Sequence, residues 1–192
     1  DVKDLLYFRI DRKKKILAST LLIALGYSKK DIVEEYYEKE SFFYDEKSKR
    51  WKTKFNPENY KAKNFFEEVV DAKSNKIVIK TGEKINYLSA KKLFNEGLKE
   101  IYVSNESLYG KFLHNDIKLG EEVYKIGTEL NETLLLKIIE SKVYNILIST
   151  TNSINKGPYL LQTVLNDKNE TKNEAITEIY KVLRPGEPPT ID

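Results

Sequence analysis

The spacing of apolar residues changes period several times along the chain, and each change marks an element. Leu5 to Ile10 alternates loosely and runs into Asp11-Arg12-Lys13-Lys14-Lys15, which predicts a short strand leading into a basic turn. Leu17 to Leu25 is the apolar body of a helix, with Gly26 as its left-handed stop. Ser28, with Asp31 three residues on, then caps a second helix carrying Ile32, Val33, Tyr36 and Tyr37, so the opening of the chain reads as a helical hairpin. From Ser41 the pattern shifts to aromatic and β-branched runs. Phe42-Phe43-Tyr44 and Trp51 to Phe55, parted by a polar stretch from Asp45 to Arg50, predict one β-hairpin; Phe65 to Val70 with Lys76 to Lys80 predict a second, turning at Lys73-Ser74-Asn75. Near the end, Ala175, Ile176, Ile179, Tyr180, Val182 and Leu183 share one face of a helix that starts near Thr171 and stops at Pro185.

Between these parts lies an internal repeat of residues 77–103 on 122–148 at a constant 45-residue offset. Gly82 matches Gly127, Ile85 matches Leu130, Asn86 matches Asn131, Leu93 matches Ile138, Ile101 matches Ile146 and Val103 matches Ile148. Each copy reads strand, glycine turn, polar cap, helix, strand, with Ser89 or Asn86 capping the first helix and Asn131 the second. One such β-α-β unit is too small to stand alone, so the two copies are expected to pack around a shared core. The fold class that follows is α+β: a helical remnant formed by residues 1–40 and 153–192, with an inserted α+β domain over 41–152 that holds the hairpins and both repeats.

Composition narrows the chemistry. With 192 residues, 40% hydrophobic and 33% charged, the chain has apolar material for one large or two small cores. No cysteine is present, which removes disulfides, thiolate nucleophiles and Cys-ligated metal. The longest apolar run, Leu21 to Leu25, is far short of the roughly 20 residues of a membrane span, so a soluble, cytoplasmic protein is expected with no membrane partner. Opening at Asp1 without an initiator Met and closing at Asp192 behind a proline-rich turn, the chain reads as cut at both ends. The single histidine, His114, is expected at the surface beside Asn115 and Asp116, although a lone imidazole can act as a base. No phosphate-cradling glycine motif and no D-x-D pair occurs, and adjacent acids such as Glu67-Glu68 suit solvated faces. The catalytic, metal and cofactor sets are therefore empty. The thirteen Tyr and eight Phe read as core filling, with Trp51 set apart; its Lys-rich stretch, Lys47 to Lys54, reads as a hairpin with alternating exposed lysines.

What remains is charge. The net charge of +3 proves no polyanionic partner, but Arg9, Arg12, Lys13, Lys14 and Lys15 put five cations into seven residues against Asp11 alone. Phe8-Arg9-Ile10-Asp11-Arg12-Lys13-Lys14-Lys15-Ile16 runs into a helix ending Ala24-Leu25-Gly26-Tyr27. Far downstream, Gly157-Pro158-Tyr159 leads to Glu178-Ile179-Tyr180-Lys181-Val182-Leu183-Arg184-Pro185-Gly186-Glu187-Pro188-Pro189-Thr190. Both blocks, in this order, resemble the beta subunit of bacterial DNA-directed RNA polymerase, where "RIDRRRK" precedes a helix ending "AL-x-Y" and "GPY" precedes "EIY-x-x-x-RPGEPPT". The resemblance covers residues 1 to about 40 and about 155 to 192 well and the middle loosely, where that family carries a variable inserted domain in its lobe.

The resemblance implies a non-catalytic lobe segment that lines the downstream DNA channel, with the enzyme's nucleotidyl transfer and its Mg²⁺ located outside this segment. It implies DNA, the other polymerase subunits and sigma factor as partners. Arg9, Arg12 and Lys13 are expected to face the channel, with Lys14 and Lys15 in the same stretch and Arg184 as a second contact held by the Pro185-Gly186 turn. Such cations position a duplex without reading its sequence; lysine keeps the charge of arginine but not its bidentate fork. Three other readings are a module docking a regulatory protein on the inserted domain, a small stand-alone enzyme using Tyr or Lys as base, to which no residue pattern points, and an independent helix-turn-helix protein. The last would need Lys29 to Glu38 as recognition helix, and that segment carries Asp31, Glu34, Glu35 and Glu38.

Overall fold

A computed structural model describes residues 4–61, 67–152 and 156–188. In chain order the strands are β1 (Tyr7–Arg9), β2 (Lys15–Leu17), β3 (Lys39–Asp45), β4 (Arg50–Lys54), β5 (Val69–Asp71), β6 (Ile77–Ile79), β7 (Glu100–Val103), β8 (Phe112–Leu113), β9 (Ile117–Leu119), β10 (Glu122–Tyr124) and β11 (Asn145–Ser149). The helices are α1 (Ala18–Ala24), α2 (Lys29–Tyr36), α3 (Tyr87–Asn95), α4 (Glu132–Glu140), α5 (Tyr159–Asn166) and α6 (Lys172–Leu183). Among the described residues these give a seven-stranded sheet, two two-stranded sheets and six helices, the mixed α+β class that the sequence implies. One compact unit draws on the spans Asp1–Lys39, Phe112–Thr128 and Ser149–Asp192, and a second on Glu40–Lys111 and Glu129–Ile148. Residues 112–128, inside the expected 41–152 insertion, thus cluster with the chain's two ends.

In the first unit the helical hairpin forms as its signals require. Gly26 adopts φ +105°, and the amides of Gly26 and Tyr27 close back on the carbonyls of Ile23 and Leu22, ending α1. Ser28 and Asp31 build a reciprocal capping box at the start of α2, each side chain accepting the other residue's amide at 3.0 Å. Thr171 caps α6 by accepting from the Glu174 amide. Several elements were not anticipated, β8 among them. The basic turn is followed by β2, which pairs antiparallel with β1 before α1 begins. A second small hairpin, β9–β10, turns at Gly120. Most important is α5: its Leu160, Leu161 and Val164 join Ile23, Ile32, Val33, Tyr37, Phe112, Ile126 and Ala175 in the core of this unit. Each such aliphatic side chain contributes about 1.5–3 kcal/mol when fully buried. The apolar stripe expected along α6 is buried only at Ala175; Ile176 and Leu183 are exposed.

In the second unit the strands follow the order β6-β5-β7-β4-β3-β11. Both expected hairpins are present, β3–β4 with Tyr44 opposite Trp51 and β5–β6 with Asn75 at φ +57° in its turn; Phe65 lies outside the described residues. The repeat is visible in its caps. Asn86 accepts from the Ser89 amide and Asn131 from the Leu134 amide, which settles the first cap on Asn86. At the other helix ends Gly97 and Lys142, again 45 apart, both have positive φ, and the next amides, Leu98 and Val143, bond to Leu93 and Ile138. The opening strands diverge, because β6 pairs with β5 whereas Gly120 supplies β10 with a local partner, β9. The first copy packs Ile79, Ile85, Ala90, Leu98 and Ile101 with Phe55, Tyr60 and Val69; the second buries Leu134, Leu135, Ile138, Ile146 and Ile148.

At Trp51 the hairpin with alternating outward lysines forms as expected, and at His114 the expected surface position needs correction. Trp51 is fully buried, and its indole N–H donates to Asn105 Oδ1 at 2.8 Å. The neighbouring lysines occupy alternate, outward positions of β4, so a cationic run and a core tryptophan share one strand without conflict. His114 is only 1% exposed, with Nδ1 2.7 Å from Ser149 Oγ and Nε2 3.3 Å from Glu34 Oε1. Polar neighbours in sequence had suggested the surface; the Ser149 hydroxyl instead partners Nδ1 of a buried imidazole whose Nε2 lies near the Glu34 carboxylate without a hydrogen bond.

Candidate nucleic-acid interface

The basic turn is built on Asp11. Its Oδ1 accepts the amides of Lys13 and Lys14 at 2.8 and 3.1 Å, while the Lys14 carbonyl accepts the amides of Ile10 and Asp11. A carboxylate that satisfies two successive amides in this way fixes the turn between β1 and β2. Arg9 then stands directly opposite Lys15 across the strand pair. Like charges in that position repel by a few tenths of a kcal/mol to about 1 kcal/mol, a cost that an anion on this face would relieve.

Arg9, Arg12, Lys13 and Lys15 are exposed, whereas Lys14 is half-buried. Lys15 Nζ lies 4.1 Å from the centre of the Tyr7 ring, a cation–π contact. Lys14 Nζ reaches the carbonyl of Leu183, the last residue of α6, at 3.1 Å. That bond joins residues 169 apart in sequence and sets the basic turn beside the end of α6, where Arg184 is exposed with Nη1 3.5 Å from Glu187 Oε2. Among the described residues, no carboxylate pairs with Arg9, Arg12, Lys13, Lys14 or Lys15. All six candidate cations therefore fall in one unit.

A second polar centre went unnoticed in the sequence. Asp167, directly after α5, is 3% exposed and accepts from Ser19 Oγ at 2.5 Å, Thr20 Oγ1 at 2.8 Å, and the amide and Nδ2 of Asn169 at 2.9 Å each. Its main-chain carbonyl accepts from Lys29 Nζ at 2.6 Å. A carboxylate with this many donors is a structural knot tying α1 to the α5–α6 connection. A small polar cluster, Asn166 to Glu170, looks like loop in sequence, and only the hydroxyls of Ser19 and Thr20 on the inner side of α1 could have hinted at a buried acceptor.

A cleft of about 360 Å³ in the first unit is bordered by Ser28, Lys29, Lys30, Asp116, Lys125 and Glu170. Four of its charges are paired, Lys29 with Glu170 at 2.9 Å and Lys125 with Asp116 at 3.8 Å. Among the described residues no three His, Asp or Glu side chains gather as metal ligands, and no helix is long and apolar enough to cross a membrane.

No family model matches the chain. Individual relatives do. The chain is 40% identical over 195 aligned residues to the DNA-directed RNA polymerase subunit beta of Rickettsia rickettsii (strain Sheila Smith). The figures are 39% for that of Rickettsia felis and 37% for that of Rickettsia canadensis (strain McKiel). Each match covers all of this chain and 14% of the relative, so the chain spans about one seventh of the length of the proteins it matches. The match runs through the repeat-bearing middle as well as through the basic turn and the Arg184 block. The chain is thus related, along its whole length, to one internal segment of the RNA polymerase beta subunit.

Proposed function

We propose that this chain serves as a non-catalytic segment of the polymerase beta subunit, part of the lobe beside downstream DNA, and that it holds the duplex through backbone phosphates. In this reading nucleotidyl transfer and its Mg²⁺ belong to other parts of the enzyme, which works in the cytoplasm on the nucleoid. Residues 41–152 correspond to the variable domain inserted in the lobe. The partners are DNA, the remaining polymerase subunits and sigma factor.

One observation carries the reading: Arg9, Arg12 and Lys13 are exposed and without carboxylate partners among the described residues, on a turn whose backbone Asp11 holds rigid. A surface that only needed solubility would intersperse both signs. Cations held this way neutralise phosphates and release counterions without reading bases, which suits an enzyme that copies any template. With so few contacts the isolated chain binds duplex weakly, with a Kd on the order of 10⁻⁴ M or above at physiological salt. The test is a salt titration of binding to mixed-sequence duplex by the wild-type chain and the R9A/R12A/K13A variant. Loss of three phosphate contacts lowers the log–log salt slope by about 2.7. An unchanged slope would refute the assignment of these residues.

A second reading concerns the α+β unit. Phe43, Ile77 and Leu88 are exposed there, Leu88 at 74%, and large exposed apolar side chains suit a protein partner. A regulator docking on this unit is compatible with the first reading, and pull-down with L88E against wild type distinguishes the two surfaces. The helix-turn-helix reading fits poorly: Glu34, Glu35 and Glu38 are exposed along and just beyond α2, and Lys29 is committed to Glu170 and the Asp167 carbonyl.

A further inference from the structure

We infer that Lys14 is a positioning residue rather than a phosphate ligand, and that it couples the basic turn to Arg184 so that the two act as one cationic face. The inference rests on the proposed phosphate-binding role of the turn. Its own support is geometric.

Lys14 differs from the four cations around it. Arg9, Arg12, Lys13 and Lys15 are exposed, while Lys14 is half-buried and turned away from the tip of the turn, with Nζ 3.1 Å from the Leu183 carbonyl. Its backbone is fixed on both sides, since its amide donates to Asp11 Oδ1 and its carbonyl accepts the amides of Ile10 and Asp11. At the other end of the bond, Leu183 closes α6, and its carbonyl is one of those left without a partner inside the helix. An ammonium there supplies a hydrogen bond and also complements the negative end of the helix dipole. The Arg184 amide donates to Tyr180 O at 2.8 Å, so the main chain of Arg184 belongs to the same last turn. Releasing Lys14 frees that turn to fray and lets Arg184 move away from the basic turn. Asp11 acts one step further back by setting the course of the Lys14 backbone.

The experiment is a double-mutant cycle on the whole chain, using K14M, R184A and K14M/R184A, with R12A as reference and K14R as rescue. Binding to mixed-sequence duplex is followed against salt, and amide exchange is followed at Arg184. R12A lowers the salt slope by about 0.9 and leaves Arg184 exchange unchanged. K14M raises exchange at the Arg184 amide about tenfold and lowers the slope by about 0.9, the same amount as R184A; the double variant loses no more than either single variant, and K14R restores both readings. Additive losses near 1.8 in the double variant, or Arg184 exchange untouched by K14M, would overturn the inference and make Lys14 an ordinary phosphate contact. A wild-type slope near zero, or one that R12A does not alter, would instead defeat the phosphate-binding reading, while the exchange data would still decide whether Lys14 holds the helix end.

Discussion

At the scale of single residues, the first unit rests on polar groups placed where a sequence pattern shows none. His114 is the clearest. Burial pushes its imidazole pKa below the usual value near 6.5; the adjacent Glu34 carboxylate pulls it back up, and Lys39 and Lys30 add to the lowering. A histidine whose folded-state pKa is depressed favours the neutral form in the fold. Its contribution to stability is complete above the unfolded-state value and falls as pH drops below it. Urea unfolding should therefore give a lower midpoint at pH 5.5 than at pH 7.5, and H114Q should reduce that difference; an H114Q chain with undiminished acid sensitivity would place the sensitive group elsewhere. Trp51 teaches the complementary lesson. Its Lys-rich stretch read as a hairpin with alternating exposed lysines, and that alternation lets Arg50, Lys52 and Lys54 face out while Trp51 fills the core.

At the scale of elements, what was legible was whatever local chemistry dictates. Ser28–Asp31, Gly26, Asn131 and Thr171 announce helix ends because capping is decided within four residues. The two β-hairpins and the 45-residue repeat follow from alternation and from glycine and asparagine at turns. Illegible were β2, only three residues long; α5, whose run from Tyr159 to Asn166 is brief; and the Asp167 knot, whose partners Ser19 and Thr20 are 148 and 147 residues away. D167A strips both hydroxyls of a charged acceptor and should destabilise the chain by about 3 kcal/mol in urea unfolding, with α1 loosened from α5; a loss below 1 kcal/mol would mean that solvent replaces the carboxylate. The repeat offers an internal control. Gly82 and Gly127 occupy matched positions with φ +83° and +87°, but a Cβ on Gly82 meets nothing within 4 Å, whereas one on Gly127 would lie 2.5 Å from the Leu161 carbonyl oxygen. G82A then costs only the left-handed backbone penalty, about 1–2 kcal/mol. G127A costs more, because α5 has to move. Equal losses in the two variants would show that this close approach does not form.

At the scale of the whole molecule, the chain's two ends belong to one unit, and Lys14 of the basic turn is hydrogen-bonded to Leu183, the residue before Arg184. The basic run and the RPGEPPT block were readable as motifs; that Lys14 would join them was not, because a contact across 169 residues leaves no trace in either. Ile176, Leu183, Tyr7 and Phe8 leave apolar surface on this unit. The central claim is that the basic turn touches nucleic-acid backbone inside an assembled polymerase. Site-specific photocrosslinking from position 12, in a polymerase whose beta subunit carries this segment, tests it most directly on a template with labelled downstream duplex. The account predicts a crosslink to the DNA that weakens as salt rises and survives changes of template sequence. Crosslinks confined to protein at every salt concentration would contradict it.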